Sequence, residues 1–73
     1  MRIEVKPIGL IKKYASAGVR DVADGVSSRG LIELLAIPRE LKMVSYVNGK
    51  KRGLDEPLAD GDEVKLVTLL TGG

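Results

Sequence analysis

Few residues in this sequence could carry out covalent chemistry, and their scarcity narrows the function. Among 73 residues there is no cysteine and no histidine. That removes the thiol nucleophile, the thiolate metal site and the disulfide, together with the commonest metal ligand and general base. Self-contained catalysis is therefore not expected. Three groups remain. Asp60-Gly61-Asp62 places two carboxylates two residues apart, which could bind a cation or act as an acid-base pair. The same triplet is ordinary turn chemistry, since Asp side chains bond nearby backbone and Gly supplies positive φ, so a metal is not expected there. Lys50-Lys51-Arg52 could meet a phosphate or a partner, but the run reads first as a solvated strand edge protected against aggregation. The third group is the closing stretch, Leu69-Leu70-Thr71-Gly72-Gly73. Without a Cβ, glycine lets the backbone come close to another surface. Two glycines before a carboxylate make a thin thread that fits a narrow passage into another protein's active site. Alternatively, the stretch is an ordinary frayed end.

Something must position that thread, and the pattern upstream supplies it. Arg2 to Lys6 alternates polar and apolar residues, as a strand with one buried face does, with Ile3 and Val5 inward. Pro7 cannot donate to a ladder, so this strand should fade near Ile8. Leu10, Ile11 and Tyr14 lie at one-turn spacing and predict a short helical turn ending at Ser16-Ala17-Gly18. Residues 19–26 read as a weak second strand. Ser27 or Ser28 can cap the main helix, whose apolar residues Leu31, Ile32, Leu34 and Leu35 recur at helical spacing up to Pro38. These leucines are expected at the centre of the core, with Glu33 in solvent, and Leu34→Asp is expected to unfold the domain. Met43 to Val47 is a clear strand. Asn48-Gly49 after it is a strong hairpin signal, with a return strand from Lys50 toward Gly53. Leu54 and Leu58 are expected to be buried in a crossing loop, before the turn at residues 60–62. The last strand, Glu63 to Leu70, puts Val64 and Leu66 on one face and Lys65, Val67 and Leu69 on the other. Two readings of Val67 and Leu69 stand: an exposed patch that a partner covers, or a central strand covered by the first helical turn.

Composition excludes further classes. Length bounds the chain to one domain with a core only just sufficient. A hydrophobic fraction of 44% with 30% charged residues places it among folded globular proteins. No apolar run approaches the roughly 20 residues of a membrane span, and the start lacks a signal peptide's apolar stretch, so a cytoplasmic protein without membrane contact is expected. A net charge of +2 and two tyrosines, Tyr14 and Tyr46, give no footprint for nucleic acid.

Read as one sheet crossed by one helix, the order of elements is a small α+β roll. Val47-Asn48-Gly49, then Pro57-Leu58-Ala59-Asp60-Gly61-Asp62-Glu63-Val64, then Gly72-Gly73 resemble the ubiquitin-like sulfur carriers, the molybdopterin synthase small subunit (MoaD) and the thiamine sulfur carrier (ThiS). The resemblance is most specific over residues 44–73. It implies a β-grasp fold, a mixed sheet wrapped around one main helix, as a single domain over 1–73 with a flexible tail from about residue 70. It also implies a carrier and not an enzyme. The Gly73 carboxylate would be adenylated by a ubiquitin-activating-like adenylyltransferase and converted to a thiocarboxylate. This chain would bind no cofactor itself, and ATP would be used by the partner. Gly72, Thr71 and Leu70 would guide the tail, and Val67, Leu69 and Tyr46 would dock the partner. The acceptor would be a molybdopterin synthase large subunit or a thiazole synthase. The long connection from Pro7 to Gly18 is similar to the molybdopterin type, which favours a molybdenum or tungsten cofactor pathway over thiamine. Leu69 and Leu70 stand where molybdopterin-type chains often carry prolines, and Ile8 where they often carry an aromatic. A ubiquitin-like modifier joined to lysines through Gly73, and a non-covalent interaction module, are the alternatives.

Overall fold

A computed structural model of the chain describes residues 1–38 and 40–69. Strands β1 (Arg2–Pro7), β2 (Gly18–Asp21), β3 (Met43–Val47), β4 (Lys50–Arg52) and β5 (Glu63–Thr68) form one sheet in the order β2-β1-β5-β3-β4, crossed by helix α1 (Ser28–Leu34). β1 and β5 run parallel, and the other neighbours are antiparallel. This mixed sheet around one helix is the ubiquitin-like β-grasp fold. Its core cluster includes Ile3 and Val5 from β1, Val64 and Leu66 from β5, Met43 and Val47 from β3, and Leu31 and Ile32 from α1.

The predicted helical turn is a 3-10 helix, Gly9–Lys13, whose one buried residue is Ile11. The weak second strand occupies only the first half of its segment, Gly18–Asp21, and Val19 is exposed. Asp24 and Gly25 then fall in a turn, where such residues are at home. Of the two loop leucines, Leu58 is buried and Leu54 only half-buried.

Helix α1 begins as its sequence directs. The Ser27 hydroxyl accepts from the Gly30 N–H at 3.1 Å and caps the first turn. Packing is close at Gly30, where a Cβ would sit 2.8 Å from the Val26 Cγ2, so that side chain would have to shift to admit one. The end differs from expectation. Ala36 takes φ 56°, its N–H donates to the Glu33 carbonyl at 3.0 Å, and the Ile37 N–H donates to the Ile32 carbonyl at 3.2 Å. That is a Schellman cap, which stops the helix before Pro38 is reached.

The short helix also corrects the expectation for Leu34, which is 64% exposed. At about 100° per residue, Leu31, Ile32 and Leu35 share an arc with Ser28 near its centre, and Leu34 falls outside it. Two turns of helix have room for one buried stripe, and Ser28 occupies part of it.

Buried Ser28 meets buried Ser45 of β3, with the two hydroxyls 2.7 Å apart. Replacing one serine by alanine leaves its partner's hydroxyl unsatisfied, at a cost of about 1–3 kcal/mol, whereas replacing both removes the polar pair together. Chemical denaturation of Ser28→Ala, Ser45→Ala and the double variant is expected to give a double variant more stable than the sum of the singles predicts. Strict additivity would show that the pair does not couple helix to sheet.

The loop after β4 is tied to the start of α1. Arg29 N–H donates to the Leu54 carbonyl at 2.9 Å, and the Arg29 guanidinium donates to the Asp55 carboxylate at 2.6 and 3.3 Å. The hydrogen bond from Arg29, and then its charge, hold the Asp55 carboxyl below its ordinary 3.8. Because the folded state lowers this group's affinity for protons, its contribution to stability is present above the unfolded value and is lost as pH falls through the folded one. Both side chains are largely in solvent, so the effect is small. An NMR titration of Asp55 is expected to give a midpoint below 3.8 that rises toward it in Arg29→Ala. An unmoved midpoint would show that the ion pair is absent in solution.

Candidate docking face

The two turn motifs anchor one end of β5. Asn48 and Gly49 take φ 52° and 84°, as a type I′ hairpin requires. The Asn48 side chain donates to Asp62 Oδ1 at 2.9 Å and accepts from the Glu63 N–H at 3.0 Å. Asp62 Oδ2 accepts from the Ala59 N–H at 2.8 Å, and Asp60 accepts from the Arg2 N–H at 2.6 Å. Each carboxylate of the Asp-Gly-Asp turn is thus used to join the hairpin, the turn and the start of β1. No cluster of three or more acidic, histidine or cysteine side chains that could hold a metal occurs among the described residues.

From this anchored end, β5 runs through the middle of the sheet, hydrogen-bonded on both sides, to Leu69, whose N–H donates to the Lys42 carbonyl at 2.8 Å. The expected reactive residues Leu70, Thr71, Gly72 and Gly73 lie outside the described residues. What the structure defines is the platform from which they depart.

The helix covers one face of the sheet and leaves the other bare. Val67, Leu69 and Tyr46, the residues assigned to docking, all belong to that second face: Val67 is half-buried, Leu69 is 54% exposed and Tyr46 36%. β5 is central, as one of the two sequence readings required. The short 3-10 helix does not cover this face, because its buried Ile11 joins the core cluster on the other side. Two further apolar residues complete the patch. Val44 pairs with Val67 across β3 and β5; it is only 8% exposed yet stands outside the core cluster, as expected of a residue shielded by neighbours on the outer face. Ile8, whose N–H donates to the Leu66 carbonyl at 3.0 Å, extends β1 by one residue and is partly exposed beside β5. Neither was assigned to docking from the sequence. Val44 carried a signal, because Met43-Val44 is apolar on both sides of the strand, as β5 is.

A family model of the ThiS family matches residues 11–73, which includes each of these apolar residues except Ile8. The chain belongs to the ThiS family. Its members are small ubiquitin-like sulfur carriers and not catalysts. No protein of curated function matches the sequence. Among solved structures, SAMP1 from Haloferax volcanii is similar with a TM-score of 0.76 and 19% identity, covering 100% of both chains. A putative molybdopterin converting factor subunit 1 from Pyrococcus furiosus gives 0.74 and 22%, covering 89% of this chain and 93% of its own. A complex of subunits 1 and 2 of molybdopterin-converting factor from Helicobacter pylori gives 0.65 and 24%, covering 100% of both. At these identities the likeness establishes the fold. Membership rests on the family model.

Proposed function

We propose that this ThiS-family chain carries sulfur as a thiocarboxylate on Gly73, formed after a partner adenylyltransferase activates the Gly73 carboxylate with ATP. The observation that carries the reading is the central strand β5, which ends at Thr68, is followed by Leu69 beside a bare apolar face, and precedes Gly72-Gly73 in the sequence, all within the residues matched by the family. A partner seated on Val67, Leu69 and Tyr46 would receive the four residues that follow.

The chemistry suits the residues. A terminal carboxyl, with an ordinary pKa of about 3.5, is ionised at neutral pH. One of its oxygens attacks the α-phosphorus of ATP, and pyrophosphate leaves. Hydrosulfide attacking the acyl carbon then expels AMP and leaves sulfur on Gly73. If the donor is instead a protein persulfide, an acyl disulfide forms, and a thiol must cleave its S–S bond to release the thiocarboxylate. The chain's lack of cysteine is no obstacle, because the sulfur resides on its own terminus. The subunit 1 and 2 complex from Helicobacter pylori supports a synthase subunit as the acceptor, and the long Pro7 to Gly18 connection supports the molybdenum or tungsten cofactor pathway over thiamine.

The test is intact mass spectrometry after incubation with the adenylyltransferase, ATP and a sulfur donor. The expected product has one oxygen replaced by sulfur. Formation of neither an acyl adenylate nor a thiocarboxylate by a competent enzyme would overturn the proposal.

A further inference from the structure

The strand registers place a row of cations across the bare face. Lys6 of β1 pairs with Lys65 of β5, Lys65 with Tyr46 of β3, and Tyr46 with Lys51 of β4. Directly paired residues share a face of a sheet. Tyr46 is exposed between buried Ser45 and Val47, so the whole row lies on the face away from the helix. Beside it, one pleat nearer the tail, runs the apolar strip of Ile8, Val67 and Val44.

The row is only partly neutralised by the domain itself. Lys6 is held by Glu63 at 3.1 Å, and the paired Glu4 and Glu63 lie on the same face one pleat further from the tail, but neither Lys65 nor Lys51 forms an ion pair among the described residues. A strip of apolar surface bordered by two unpaired ammonium groups is complementary to one kind of surface: an apolar ridge bordered by carboxylates. Apolar contact alone would not discriminate among proteins with exposed leucines or valines. Opposed charge would discriminate, and it would also accelerate encounter.

We propose that Lys65 and Lys51, flanking Tyr46, select a protein partner whose docking ridge is acidic, and that this partner is the adenylyltransferase which receives the tail. The inference rests on the carrier function proposed above and deepens it by assigning the charge of the partner's surface. Nucleic acid is the competing polyanion, but stacking on this face would rest on a single aromatic, Tyr46.

Two adjacent lysines provide the test. Lys50 and Lys51 are both exposed on the edge strand β4, yet Lys50 pairs with Val47 and Lys51 with Tyr46, so they belong to opposite faces. Lys50→Glu and Lys51→Glu change the net charge equally and disturb the same strand equally. Association with the adenylyltransferase would be followed by stopped flow, and acyl adenylate formation by ATP–pyrophosphate exchange, at low and high salt. Lys51→Glu is expected to slow association about tenfold at low salt and to flatten its salt dependence, while Lys50→Glu changes it less than about twofold. Maximal exchange at saturating carrier is expected to be unchanged in Lys50→Glu, because the tail and the proposed docking face are both intact. If wild type supports no exchange, the carrier reading fails and this inference falls with it. If wild type is active and the two variants behave alike, the carrier reading stands and the charge row is overturned. A single-stranded RNA oligonucleotide that binds wild type and loses its affinity in Lys51→Glu, while enzyme association is unaffected, would reassign the row to nucleic acid.

Discussion

Removal of Gly73 is expected to abolish thiocarboxylate formation while leaving thermal unfolding unchanged. The two outcomes are expected to separate because stability and chemistry draw on different groups. Among the described residues the buried core cluster is drawn from positions between Ile3 and Leu66, and a terminal glycine has no side chain to bury. The chemistry, in contrast, depends on reach. Shortening the chain by one residue withdraws the carboxylate by about 3.5 Å, the contour length of one extended residue. A displacement of only 1 Å in a reacting group can cost about a hundredfold, so the Gly72 carboxylate left behind should not be activated detectably. Intact mass spectrometry and a thermal melt of the same sample check both halves. Full activity in the truncated chain would exclude any role for the Gly73 carboxylate, and a large fall in the melting temperature would show that the tail packs on the domain. Conjugation to lysines would need the same residue. It would leave isopeptide-linked Gly-Gly remnants on other proteins after digestion, in place of sulfur on the carrier.

The features that could be read from the sequence are those whose causes are local. Asn48-Gly49 forces its hairpin because both residues accept positive φ, and Ser27 caps α1 because its hydroxyl reaches an N–H three residues on. Alternation in Arg2–Lys6 and around Val64–Leu66 fixed which side of each strand faces inward. Neighbours in space were less accessible. Nothing in Lys6, Tyr46, Lys51 or Lys65 announces that four strands will align them, because that row depends on three separate pairings between distant segments. Period-two alternation also cannot say what covers the second face. Val67 and Leu69 therefore supported two readings until the order β2-β1-β5-β3-β4 placed their strand in the middle and the 3-10 helix on the other side. The exposed apolar face was legible in part, as an excess of apolar side chains at Val67 and Leu69. Val44 carried the same kind of signal in the apolar pair Met43-Val44, whereas Ile8 carried none, since a single apolar residue beyond a strand end has an ordinary explanation.

Leu31→Asp is expected to unfold the domain and Leu34→Asp to leave it folded, although the two leucines are three residues apart on the same helix. Leu31 is fully buried, and Leu34 is 64% exposed. A chain of 73 residues has a total stability of roughly 4–11 kcal/mol, taking about 0.05–0.15 per residue. Truncating a buried leucine removes about 2–5 kcal/mol of this. An ionised carboxylate within this core cluster, whose buried members are all apolar, adds several more, so the sum consumes the whole margin. At Leu34 the carboxylate remains in water. Its position in the last helical turn opposes the helix dipole, a cost of about 0.3–1 kcal/mol, and little apolar area is lost from the core. Circular dichroism with urea denaturation distinguishes the cases: no cooperative transition for Leu31→Asp, and a midpoint only modestly below wild type for Leu34→Asp. A Leu34→Asp chain without a cooperative transition would mean that α1 extends or rotates in solution to bury the arc on which Leu34 lies. That rotation would carry Ser28 away from Ser45, so the loss of their coupling in the serine double variant would accompany it.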